Sequence, residues 1–113
     1  MHVQIFGTKK SFDSKKAERY FKERGIKYQF VDMKEKGLSK GEFNFVCQAV
    51  GGYEKLIDPK CKDKNLLALV QYLSEEDKKE KILENQKIIR TPIVRNGKQA
   101  TVGYEPDVWK DWK

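Results

Sequence analysis

Arg90-Thr91-Pro92-Ile93-Val94-Arg95-Asn96-Gly97-Lys98-Gln99-Ala100-Thr101-Val102 carries the strongest short-range structural signal in the chain. Asn96-Gly97 lies between two short runs rich in β-formers, Pro92-Ile93-Val94 and Ala100-Thr101-Val102. Asn-Gly accepts positive φ at both centres of a type I′ turn, so the segment predicts an antiparallel hairpin. Immediately after it, Glu105-Pro106-Asp107 opens a last helix, with proline where no backbone donor is needed. Val108, Trp109 and Trp112 are its packing residues.

Moving outward to the N-terminus, Val3 to Phe6 is a mostly apolar run stopped by Gly7, as expected of a strand covered on both faces. From Ser11 the spacing turns helical: Ala17, Tyr20 and Phe21 share one face, charges occupy the other, and Gly25 supplies a stop. Tyr28 to Met33 reads as a second strand. The short link through Gly25 and Ile26 makes this a βαβ-type unit, so the first two strands are predicted parallel with a right-handed crossover.

Between these halves, from Leu38 to Asn85, the pattern is only helical, punctuated by Gly51-Gly52 and Asp58-Pro59. Three helices fit. The first uses Phe43, Val46 and Val50; the second uses Leu66, Leu69, Val70 and Leu73; the third is capped by Ser74, with acids in its first turn and lysines following. Lys78 to Lys81 reads as a solvated face. The order strand, helix, strand, helical block, hairpin, helix predicts an α/β domain over 1–113: a four-stranded mixed sheet of the thioredoxin-like kind with a helical insertion at about 38–87. In such folds the proline opening the third strand, Pro92 in this chain, is commonly cis and shapes a site facing the start of the first helix.

The chain has 113 residues, a mass of 13.3 kDa and a net charge of +7, with 36% charged residues balanced by 38% hydrophobic ones, enough for one core. The charge favours anionic partners, but basic residues are dispersed among acids and no aromatic–basic interleaving appears, which argues against specific nucleic-acid binding. No apolar run approaches the roughly 20 residues that span a bilayer, and the start runs directly into strand-like sequence, so the expectation is a soluble cytoplasmic protein. Two cysteines, Cys47 and Cys61, are too few for a secreted disulfide framework. With the single His2 they are too few for a zinc site.

Several segments together, in order and spacing, resemble the arsenate reductase (ArsC) family and its Spx branch of transcriptional regulators. They are Ile5-Phe6-Gly7 with Lys15-Lys16-Ala17 and Gly25-Ile26; Val31-Asp32 leading to Gly37-Leu38-Ser39; the Gly51 to Ile57 turn; and Arg90 to Val94 through Val102-Gly103-Tyr104. The resemblance implies a nucleophilic cysteine four residues after Gly7, where this chain has Ser11, and an arginine before the proline, where it has Thr91. Arg90 matches the first of two arginines common in Spx-type members.

A thiol at a helix start loses its proton near neutrality, whereas an alkyl alcohol stays protonated and forms no disulfide. Ser11 is therefore read as a helix cap, with Asp13 and the neighbouring lysines as the nearest groups for any base role and His2 as a terminal surface residue. Free N–H groups at the helix start, flanked by Lys9, Lys10 and Lys15, still make an anion site. Cys47 reads as a small buried hydrophobe, and Cys61, beside Lys60 and Lys62 in a setting that favours exposure and a lowered pKa, is the candidate thiol.

The resemblance then implies a redox-inactive module with an interaction or regulatory role. Its candidate site is Ser11, Lys9, Lys10, Lys15, Arg90, Thr91 and Pro92; its candidate partners are the C-terminal domain of the RNA polymerase α subunit or a small oxyanion. The alternative is a reductase-like or glutaredoxin-like oxidoreductase that uses Cys61 and draws on glutathione.

Overall fold

The computed structural model describes residues 1–112. Val3, Ile5 and Phe6 are shut off from solvent because strand β1 (Val3–Gly7) runs through the interior of the sheet. It pairs in parallel with β2 (Tyr28–Asp32), from Val3 opposite Tyr28 to Gly7 opposite Asp32. On its other side it pairs antiparallel with β3 (Ile93–Asn96), which continues into β4 (Gln99–Val102), giving the order β2-β1-β3-β4. The crossover between β1 and β2 is helix α1 (Phe12–Glu23), followed by Gly25 at φ +67°. This is the mixed four-stranded sheet expected from the sequence.

Alternation along the inner strands sends side chains to two different cores. Val3, Ile5 and Val94 meet Ala17, Tyr20 and Phe21 of α1 together with Trp109 and Trp112. Phe6 and Ile93 face the insertion. Trp109 belongs to the last helix, α5 (Pro106–Trp109), and its Nε1 donates to Thr101 Oγ1 at 2.8 Å, tying that helix to β4. Both tryptophans are buried, and Val108, expected to pack, is exposed.

The insertion contains α2 (Lys40–Val50), α3 (Lys64–Tyr72) and α4 (Glu75–Glu84); Ser74 caps α4 as its sequence suggests, and the structure adds Ser39 in a capping box with Glu42 for α2 and Asp63 for α3. Two 3₁₀ turns, Tyr53–Leu56 and Gln86–Ile88, lay outside the three-helix reading. Leu69 is also exposed: a helix of this length presents a narrow inner face, which Leu66 and Val70 fill at i and i+4.

The hairpin turn is a second correction. Asn96 pairs with Gln99, so the central residues are Gly97 and Lys98 rather than Asn96 and Gly97. Only Gly97 has positive φ, at +59°, which matches a II′-type turn with glycine first. Asn96 instead ends β3, where its Oδ1 accepts from the His2 N–H.

The insertion is fastened to the sheet at the point where the chain re-enters it. Asp58 N donates to Ile88 O at 2.8 Å and Arg90 N to Leu56 O at 2.7 Å. Gln86 accepts from Leu38 N at 2.7 Å and donates to Leu38 O at 2.8 Å, and Gly37 leaves room for it, since a Cβ there would stand 2.9 Å from Gln86 Cδ. These bonds set the path of the chain into Thr91 and Pro92. Among the described residues, no helix is long and apolar enough to cross a membrane.

Candidate functional site

The loop from Gly7 to Ser11 is built around one buried serine. Ser14 has no exposed surface, and its Oγ accepts from Thr8 N at 3.3 Å. A Cβ on Gly7 would collide with Ser14 Oγ and stand 2.9 Å from Ser14 Cβ, so only glycine lets α1 start this close to the end of β1. Ser11 is the N-cap: its N–H donates to Thr8 O at 3.2 Å and its Oγ accepts from Ser14 N at 3.2 Å. The first-turn N–H groups of Phe12 and Asp13 have no intrahelical acceptor and face the loop side.

Lys9, Lys10 and Lys15 are exposed around this helix start. Lys15 Nζ lies 5.9 Å from the centre of the Phe12 ring, itself exposed at 79%. Helix dipole and ammonium groups act with the same sign at this helix start. Asp13, half-buried in the first turn, supplies an opposing charge.

Thr91 and Pro92 approach the same end of the sheet. The Thr91–Pro92 bond is cis, Pro92 is buried, and Thr91 lines a cavity of about 320 Å³ with Thr8, Met33, Lys34, Gln86 and Lys87. Thr8 thus belongs both to the capping loop and to this cavity. Arg90 does not join it. Its guanidinium lies against Gly103, with Nη2 3.0 Å from where a Cβ would stand, and it lines a different groove with Ile57, Val102 and Val108.

The cysteines are both free and both buried. Cys47 is packed under α2, where burial pushes its thiol above the ordinary value against the opposing pull of the Lys79 charge. Cys61, expected to be exposed, is only 8% accessible; it joins the insertion core and its Sγ donates to Lys87 O at 3.7 Å. The flanking Lys60 and Lys62 point to solvent while the cysteine turns inward. His2 is exposed at the opposite end of β1 from Ser11.

Sequence reasoning missed Thr8, Lys34 and Lys87 as cavity residues. Lys87 is held by Asp63 at 2.9 Å, across 24 residues of chain, and that pairing has no local sequence signature. The hydrogen bond from Lys87, and after it one from Leu66 N, lowers the Asp63 carboxyl below its ordinary value.

The ArsC family model matches residues 6–112. The chain belongs to the ArsC family. Among solved structures, this ArsC-family chain is similar to an arsenate reductase from Vibrio cholerae, with 25% identity and a TM-score of 0.82 over 96% of this chain and 94% of that one. An arsenate reductase (ArsC) related protein from Brucella melitensis is 22% identical, with a TM-score of 0.68 over 99% and 94% of the two chains. The glutaredoxin-like NrdH-redoxin from Escherichia coli shares the fold at 12% identity and a TM-score of 0.51, covering 100% and 96%. A sequence search matches none of the curated proteins.

Proposed function

We propose that this ArsC-family chain is a redox-inactive thioredoxin-like module with an interaction or regulatory role. The observation that carries the reading is Ser11. By the sequence resemblance it takes the place of the family's nucleophilic cysteine, and in the structure its Oγ is engaged as the cap of α1, accepting the Ser14 N–H. An alcohol at that position keeps its proton near neutral pH, and the described residues give it no histidine or carboxylate hydrogen bond that would remove it.

The remaining site supports the same reading. Thr91 offers a hydroxyl where an arginine would grip an oxyanion with two parallel bonds, and Arg90 is turned to another face. Cys47 and Cys61 are both held in the core on the insertion side. What persists is a start of α1 with free N–H groups and three exposed lysines, suited to a small oxyanion or to an acidic group of a protein partner. The C-terminal domain of the RNA polymerase α subunit is the partner to try first, on the strength of the Spx-type resemblance. A reducing cytoplasm is the matching compartment, where two unpaired thiols persist.

The test offers the purified protein arsenate with glutathione, glutaredoxin and NADPH. NADPH oxidation stays at the rate of the protein-free mixture. Arsenate-dependent oxidation that disappears in Cys61→Ser would overturn the proposal and establish Cys61 as the working thiol.

A further inference from the structure

Away from the Ser11 loop, the outer face of α1 and the turn between β4 and α5 enclose an open groove of about 390 Å³. Lys16, Arg19 and Arg24 line it, against the one carboxylate of Glu23. All four are exposed, and none of the three cations is ion-paired among the described residues. Their positions recur at helical spacing, so they form one continuous face.

Two of the cations are held in place by neutral partners. The Arg24 guanidinium lies 3.7 Å from the centre of the Tyr20 ring and donates through Nη1 to Tyr20 O at 3.1 Å. Lys16 Nζ sits 5.7 Å from the centre of the Tyr104 ring. Cation–π contact and one backbone bond order these groups while leaving most of their donors unused. Tyr104 in turn packs edge-on against buried Trp109, which fixes the wall of the groove.

We propose that this groove binds an acidic segment of a protein partner, a role beyond the Ser11 site and independent of it. Three cations against one carboxylate leave the groove net positive, which selects an anion, and the ordered guanidinium suits a carboxylate fork. From Lys16 to Arg24 the helix rises about 12 Å, the reach of about four residues of extended peptide. A nucleic acid fits less well. The ring faces that would stack on bases are already occupied by Arg24 and Lys16, and Glu23 repels a dense run of phosphates.

The probe is a fluorescein-labelled peptide of alternating Glu and Ser, followed by anisotropy at low and raised salt. Binding weakens with salt, and Arg19→Gln and Arg24→Gln each reduce affinity about two- to five-fold, as expected of exposed charge pairs. The Arg19 side chain makes no hydrogen bond or ion pair among the described residues, so its substitution acts without disturbing the fold. Glu23→Gln tightens binding, and Lys98→Gln, which removes equal charge at the hairpin turn, leaves it unchanged. No binding by the unmodified protein, a Lys98→Gln effect as large as that of Arg24→Gln, or displacement of the peptide by an equally charged single-stranded oligonucleotide at equal concentration would each overturn the proposal.

Discussion

Replacing Ser11 by cysteine puts a thiol at the cap of α1 and turns the local geometry into a measurable pKa. A free thiol titrates at about 8.5. In the folded variant the thiolate takes over the bond now made by Ser11 Oγ to Ser14 N at 3.2 Å. A hydrogen bond to a charged acceptor contributes about 1.5–3 kcal/mol, and the helix N-terminus adds about 0.3–1 kcal/mol. Because the neutral thiol keeps part of the bond and Ser11 is half-buried, the net preference for the thiolate is about 2–3 kcal/mol. At 1.36 kcal/mol per unit this lowers the pKa to about 6–7.

The assay is thiolate absorbance near 240 nm against pH, with the unmodified protein subtracted to remove Cys47 and Cys61, and alkylation by iodoacetamide as a second readout. Linkage supplies an independent check. A folded pKa below the unfolded one contributes stability that is fully present above about 8.5 and lost as pH falls through about 6–7. Ser11→Cys therefore gains stability relative to the unmodified protein between pH 5 and pH 9. A thiol that titrates at or above 8.5 would refute the reasoning, because neither the cap bond nor the helix start would then act on the group at this position.

Two further outcomes follow from the same structure. Thr101→Val leaves the Trp109 indole N–H buried without its acceptor, which costs about 1–3 kcal/mol and lowers Tm by roughly 5–15 °C; an unchanged melt would show the bond is replaced by water. Asp63, whose carboxyl is held below its ordinary value of 3.8 chiefly by the Lys87 hydrogen bond, contributes stability that is present above that value and lost as pH falls through the lower folded one. Denaturant midpoints measured from pH 5 down to pH 2 should fall less steeply in Asp63→Asn, and added salt should shrink the difference.

The elements themselves were legible because their signals are local. Ser11 and Ser74 mark the starts of two helices, Gly25 marks a stop, and the Pro92 to Val102 stretch marks a hairpin; each depends on groups a few residues apart. The misreadings arose where distant packing chose between locally equal options. Asn96 looked like a turn centre until its pairing with Gln99 moved the turn by one residue, and Leu69 and Val108 looked like core until short helices left them outside.

By itself the sequence determined the chemistry available at the start of α1: a hydroxyl at Ser11, a hydroxyl at Thr91, and lysines at 9, 10 and 15. Composition is independent of conformation, so folding cannot change what those groups are. Only the tertiary structure decided which of them meet. Thr8 joins the capping loop to the cavity of Thr91, Arg90 turns toward Gly103, and Cys61 turns away from its flanking lysines into the insertion core. The same packing decided that Lys16, Arg19 and Arg24 border Tyr104, a residue 80 positions beyond Arg24 in the chain. Those outcomes depend on contacts between segments remote in sequence, where burial of apolar surface outweighs the preference of any single residue.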